Sequence, residues 1–280
     1  MLLKEIKDIR SIIKDWKKDG LTIGYVPTMG CLHEGHKSLI EKAVSENDKV
    51  VVSVFVNPTQ FGPNEDYDSY PKNIDEDLEI CKKSGASIVF NPDKEEMYFN
   101  NKSTTVSVSE LTNVLCGAKR PGHFDGVCLV LSKFFNIITP DKAYFGEKDF
   151  QQIAVVKRMV RDLNINIEIL SCPIVREKDG LAKSSRNVYL SKEERKAALV
   201  LNRSLSLAKE ELKHGERNSK IIKDIIVNEL NKEPLAKIDY VEIVDSESLN
   251  DLEIVNTTAL IPIAVYIGKT RLIDNFIFNI

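Results

Sequence analysis

Apolar positions along this chain change period several times, and each change marks an element. Leu2, Ile6, Ile9, Ile13 and Trp16 recur at helical spacing through residues 1–19, with charged residues between them. That pattern predicts an amphipathic helix, not the continuous apolar core of a targeting segment. Residues 21–26 are a short apolar run, read as a buried strand, and Leu39, Ile40, Ala43 and Val44 carry a helical stripe just beyond it. The β-branched run over 49–56, bounded by Asn57-Pro58, predicts a second buried strand. A polar and aromatic loop follows over 57–72. Then come a helix over 75–83 closed by Gly85, a strand over 87–90 and a weaker strand signal over 104–108. A helix over 127–138, a strand over 142–145, a helix over 150–162 and a strand over 165–170 complete this part. Strands alternating with helices of this length imply parallel βαβ units and a sheet covered on both faces.

The pattern changes near residues 173–175. One long helix is predicted over 191–214, opened by Ser191 with Glu194 three residues on, a capping-box signature. A second helix follows over 219–230, then strands near 238–244, 259–267 and 272–278. The expected architecture is α/β: a Rossmann-like, doubly wound parallel sheet over residues 1–174, followed by a smaller α+β C-terminal domain over 175–280. There is no internal repeat.

Composition narrows the function classes. The 280 residues are 42% hydrophobic and 29% charged, as in ordinary soluble proteins. A net charge of −3 and a pI near 5.9 argue against sequence-independent binding to a long nucleic acid, which needs a basic footprint. No run approaches the roughly 18 apolar residues that span a bilayer. The five cysteines (31, 81, 116, 128, 172) are odd in number and lack CxxC spacing, so reduced thiols in the cytoplasm are expected.

The densest chemistry lies at Pro27-Thr28-Met29-Gly30-Cys31-Leu32-His33-Glu34-Gly35-His36. A strand runs into a helix here, and two histidines three residues apart, with a glycine between them, sit at the helix start. Unpaired N–H groups and the positive end of the helix dipole favour an anion at such a place. Two imidazoles added to that setting suggest a polyphosphate site. A plain helix cap competes with this reading, and so does zinc. Zinc is disfavoured because HxGH lacks the H-E-x-x-H spacing and no third ligand of the right kind is near. Three other segments carry polar density. Asn57-Pro58-Thr59-Gln60-Phe61-Gly62 and Gly146-Glu147-Lys148-Asp149-Phe150-Gln151-Gln152 lie at predicted strand ends, where parallel sheets bind ligands. Lys183-Ser184-Ser185-Arg186-Asn187 combines hydroxyls with a guanidinium, as a phosphate clamp would. Each alone also reads as an ordinary turn or capped helix start.

Taken in order, these segments resemble the pantoate–β-alanine ligase family of the HxGH nucleotidyltransferase superfamily. Arg120-Pro121-Gly122-His123-Phe124 and Gly268-Lys269-Thr270-Arg271-Leu272-Ile273-Asp274-Asn275 extend the likeness over essentially the whole chain. The resemblance implies ATP-dependent joining of (R)-pantoate to β-alanine through a pantoyl adenylate, with AMP and diphosphate released. It assigns ATP contacts to Met29, Gly30, Cys31, Leu32, His33, Glu34, Gly35, His36, Gly146, Glu147, Lys148, Asp149, Val175, Lys183, Ser184, Ser185 and Arg186. Among these, His36, His33, Lys148, Ser184, Ser185 and Arg186 would be catalytic, with His36 as proton donor. Gln60 and Gln152 fall on pantoate-binding positions, and Gln60 also reaches β-alanine. ATP as co-substrate, Mg²⁺ on its phosphates, a cytoplasmic homodimer and a lid role for residues 175–280 are implied as well. Metal ligands are unassigned, although Asp75 and Asp77 could contribute, and Arg120 and His123 receive no role. His214, before Gly215, reads as a complement to a helix dipole. Cys31, Lys37, Lys72 and Lys183 depart from the usual family residues, and the ammonium of Lys183 is expected in solvent. Another HxGH-superfamily nucleotidyltransferase, a tRNA-binding relative of a synthetase and a non-catalytic nucleotide sensor are the competing readings.

Overall fold

Leu2 and Leu3 share the helical period of the residues after them, yet they form strand β1 (Leu2–Leu3), paired in parallel with Val89 and Phe90. The helix, α1 (Ile6–Lys18), starts later and buries Ile9 and Ile13; Asp8 in its first turn and Lys17 and Lys18 in its last complement its dipole. The structure is a computed structural model that describes residues 1–63 and 65–280. Asn64, inside the loop expected over 57–72, lies outside the described residues.

Two units are distinguished within the chain: Met1–Gly146 with Val155–Pro173, and Glu147–Ala154 with Ile174–Ile280. In the first, α1 is followed by β2 (Ile23–Thr28), α2 (Glu34–Glu46), β3 (Lys49–Val54), α3 (Ile74–Lys83), β4 (Ile88–Phe90) and the short α4 (Lys94–Met97). Then come α5 (Leu115–Lys119), α6 (His123–Ile138), β5 (Lys142–Gly146), α7 (Phe150–Asp162) and β6 (Glu168–Cys172). Residues 150–154 of α7 count with the second unit.

The six strands pair in parallel in the order β1-β4-β3-β2-β5-β6. β2 and β3 are buried along nearly their whole length, as strands covered on both faces must be. Val26, Val50, Val52, Leu39 and Ile40 meet in one core under α2. The strand order reverses between β2 and β5, the switch point at whose carboxyl ends ligands bind in such sheets. The connections leaving those two ends begin at Met29 and Glu147, and the one leaving β3 leads to Gln60. Several expectations are corrected. Residues 104–108 pair with no strand among the described residues. Helix α6 starts four residues before the expected 127, entered through Gly122 at φ +78°. β6 lies further along than 165–170.

In the second unit the helix expected over 191–214 is two: α8 (Lys192–Ala197) and α9 (Leu199–Lys213), with Ala198 between them. The Ser191–Glu194 capping box opens α8 as read. α10 (Ser219–Leu230) precedes β7 (Ala236–Val241), β8 (Val244–Asp245), β9 (Ala259–Ile267) and β10 (Thr270–Phe278). These strands form an antiparallel sheet with β9 between β7 and β10. Its apolar face, with Ile261, Ile263 and Val265, packs with Leu205, Leu212, Ile222 and Ile226 of the helices in one core.

Candidate active site

The turn after β2 is built around two residues with positive φ, Gly30 at +89° and Cys31 at +52°. A side chain on Gly30 would press against Asp77 Oδ2 at 3.0 Å, so glycine is required here for space as well as conformation. Three successive amides of the turn are accepted by side chains. Thr28 Oγ1 takes Gly30 N–H at 3.3 Å; Asp77 takes Cys31 N–H at 3.1 Å and Leu32 N–H at 2.7 Å. Sequence alone leaves these N–H groups open to a phosphate; the fold has already used them. Asp77 is 2% exposed. Burial pushes its carboxyl above the usual carboxylate range, and the two amide bonds only partly offset that. Asp77 thus uses both oxygens on the turn. Burial, then the Asp77 and Glu76 charges, push the Cys31 thiol up, so it is no thiolate nucleophile.

His33 and His36 cap α2 reciprocally. His33 Nδ1 accepts Gly35 N–H at 3.1 Å, and His36 Nδ1 accepts His33 N–H at 3.3 Å. The plain helix cap, one of the competing readings, is therefore present in these residues. The rings lie 4.2 Å apart, tilted by 40°. Because each Nδ1 is an acceptor, the proton of each neutral ring sits on Nε2. Lys37, next along, reaches Glu41 at 3.6 Å across one helical turn; this half-exposed pair is worth roughly 0.3–0.5 kcal/mol and serves the helix surface.

Gln60 belongs to the same unit and is held just as tightly. Asn57, 1% exposed, donates Nδ2 to the Gly126 carbonyl and to Gln60 Oε1, both at 3.0 Å, while its Oδ1 accepts the Tyr98 hydroxyl at 2.7 Å. With its oxygen fixed on Asn57, the Gln60 amide turns its nitrogen toward Met29, Nε2 lying 3.1 Å from Sδ. The chain leaving β2 and the chain leaving β3 thus meet at Met29 and Gln60. Helix α6 approaches closely enough that a side chain on Gly126 would collide with the Thr59 carbonyl. Arg120 and His123 support the same turn. His123 Nδ1 must donate to the Gln60 carbonyl, at 2.8 Å, leaving Nε2 to accept Arg120 Nη1 at 3.0 Å. Arg120 is in turn bidentate to Glu65, at 2.6 Å for both bonds. Burial pushes the Glu65 carboxyl up, but the hydrogen bonds and charge of Arg120 outweigh it and hold the group below its usual range.

Gly146 ends β5 in the first unit, and the second unit carries the remaining predicted residues. Glu147–Asp149 form a 3-10 turn that opens α7, and Lys148 Nζ lies 3.6 Å from Asp149. Gln152 stands half-buried one turn into α7. Val175 and Lys183 face each other across a hairpin, Lys183 N–H donating to the Val175 carbonyl at 2.9 Å. The Lys183 ammonium, expected in solvent, pairs with Glu177 at 3.5 Å. Ser184 caps the next 3-10 turn, its Oγ accepting Arg186 N–H at 3.3 Å. Sequence reasoning missed Asn57, Tyr98 and the structural use of Asp77. One signal was available: Asp77 falls between Ile74 and Cys81 on the helix face that is otherwise buried.

No helix among the described residues is long and apolar enough to cross a membrane. Residues 1–277 match the family model described as pantoate-beta-alanine ligase. The pantothenate synthetase of Clostridioides difficile (strain 630) is 68% identical over 280 residues, covering 100% of this chain and 99% of that protein. That of Clostridium acetobutylicum is 65% identical over 279 residues, covering 100% and 99%. The crystal structure of pantothenate synthetase from Thermus thermophilus superposes with a TM-score of 0.92 at 43% identity, over 98% of both chains. A pantoate-beta-alanine ligase from Francisella tularensis, complexed with beta-gamma ATP and beta-alanine, gives 0.79 at 38% identity, over 99% of this chain and 97% of that one.

Proposed function

This chain belongs to the pantoate–β-alanine ligase family, and from that premise we propose that it joins (R)-pantoate to β-alanine at the expense of ATP. A pantoate carboxylate oxygen attacks the α-phosphorus and the bond to the bridging oxygen breaks, so diphosphate leaves with the electron pair. The β-alanine amine then attacks the acyl carbon; AMP departs with the former carboxylate oxygen, and the amine loses a proton. The observation that carries the reading is the family match over residues 1–277, which takes in every motif singled out above.

Charge builds on diphosphate as it leaves, so the task is positioning and electrostatic stabilisation. The Nε2–H of His33 and of His36 supplies hydrogen-bond donors, with His36 as the proposed proton donor, and Lys148 and Arg186 supply charge. Ser184 and Ser185 complete the proposed phosphate contacts. Gln60, whose amide nitrogen is turned away from Asn57, suits an acceptor such as the pantoate carboxylate or hydroxyl, and Gln152 is proposed for the same substrate. Mg²⁺ belongs to the proposal as the counter-ion of ATP. The described residues assemble no group of three or more His, Cys, Asp and Glu as a metal cage. A Mg²⁺ ion held mainly by phosphate oxygens and water, with one or two carboxylates, fits that donor set, and it would neutralise phosphate charge. The lid role of residues 175–280, the homodimer and the cytoplasmic setting are part of the same proposal. The test is AMP formation from ATP, pantoate and β-alanine: all three are required for turnover, and equal AMP release without pantoate contradicts the reading.

A further inference from the structure

The C-terminal motif ending in Asp274-Asn275 has no part in the chemistry above, yet its last two residues are among the most buried polar groups of the second unit, at 2% and 4% exposure. Asn275 Nδ2 donates to two consecutive backbone carbonyls, those of Glu147 and Lys148, at 2.9 Å each. Both partners are acceptors only, so the amide orientation is forced. Its Oδ1 is buried without a hydrogen-bond partner among the described residues. Asp274 accepts Asn275 N–H at 2.8 Å and a bidentate pair from Arg176, at 2.6 and 2.9 Å. Arg176 also donates to the Gly180 carbonyl at 3.1 Å, inside the hairpin that ends at Lys183 and leads into Ser184. Two adjacent residues of β10 therefore register both segments of this unit that are directed at phosphate.

We propose that Asn275 is a positioning residue for adenylation: its two donated hydrogen bonds fix the backbone from which Lys148 presents its ammonium, and the Asp274–Arg176 pair anchors Asn275 to the Val175–Lys183 hairpin. The role rests on the ligase reading. It is confined to the half-reaction in which diphosphate departs, because the charge that Lys148 meets is gone when the amine attacks.

Asn275→Asp keeps the shape and replaces the donors by an acceptor facing two carbonyls. Pantoate-dependent diphosphate release should fall about 10- to 100-fold, the scale of a small misplacement of a charge-stabilising group. AMP displacement by β-alanine from supplied pantoyl adenylate should change by less than about threefold, the factor that would separate the two half-reactions. Unchanged diphosphate release, or equal losses in the two half-reactions, overturns the assignment. Should Asn275→Asp fail to fold, Asn275→Ala removes the donors without adding charge and is scored by the same criterion. Wild-type chain that releases no diphosphate with ATP and pantoate overturns the ligase reading itself, an outcome distinct from an active wild type with an unaffected variant.

Discussion

Asp77 accepts the backbone N–H of Leu32 at 2.7 Å, so a buried carboxylate on α3 holds the turn that launches α2. Removing that carboxylate orphans two turn amides, Cys31 and Leu32, each costing about 1–3 kcal/mol if left unpaired. Asp77→Ala should lower stability by about 2–6 kcal/mol, the two together, in denaturant unfolding. It should also slow adenylation more than about tenfold, since His33 and His36 begin where the turn ends. Stability and rate both unchanged would show that the turn holds itself.

Gly126 bears on Gln60, the residue proposed for pantoate. A methyl group there collides with the Thr59 carbonyl, beside the Asn57 bond that orients Gln60. Gly126→Ala should cost about 1–3 kcal/mol as overpacking. Steady-state kinetics should show the KM for pantoate rising roughly tenfold, one lost hydrogen bond in magnitude, with the KM for ATP changing less. A rise confined to ATP would contradict the placement of Gln60.

The capping geometry fixes tautomers. ¹⁵N spectra of the neutral rings should show His33 and His36 protonated at Nε2 and His123 at Nδ1. Finding His36 protonated at Nδ1 would remove the donor role assigned to its Nε2. In the same account His36→Ala loses about two orders of magnitude in activity, the size of a lost charge-stabilising donor.

Lys183 is held at both its backbone and its ammonium. Its backbone bonds Val175, and its ammonium pairs with Glu177. Lys183→Met should leave the KM for ATP within about twofold, since part-exposed ion pairs contribute little. A tenfold rise would place the ammonium on the nucleotide.

Much of this architecture is legible in the amino-acid order because local signals suffice. α7 and α10 match their expected bounds, and α10 opens on Asn218, whose side chain caps Lys220 and Ile221. β9 is an unbroken apolar run and matches as well. Failures occur where a distant partner decides. Leu2 and Leu3 leave the helix because Val89 and Phe90 offer a parallel strand edge, and 104–108 has strand-like residues that pair with no strand among the described residues. The break at Ala198 has no sequence mark, since alanine favours continuing the helix. For the site, the chemistry-bearing residues stand out by type and spacing. Those that aim them act through contacts that motif does not record: Asp77 on the Cys31 and Leu32 amides, Asn57 on the Gly126 carbonyl as well as on nearby Gln60, and Asn275 on the Glu147 and Lys148 carbonyls. Only Asp77 leaves a trace, in the period of its helix.

In the proposed reaction the pantoate carboxylate is activated at the α-phosphorus. Pantoate labelled with ¹⁸O in both carboxylate oxygens, turned over with ATP and β-alanine, tests it directly by mass spectrometry of the nucleotide product. AMP should carry one ¹⁸O and pantothenate should retain the other in its amide. Unlabelled AMP, or label in inorganic phosphate with ADP as the nucleotide product, would contradict it.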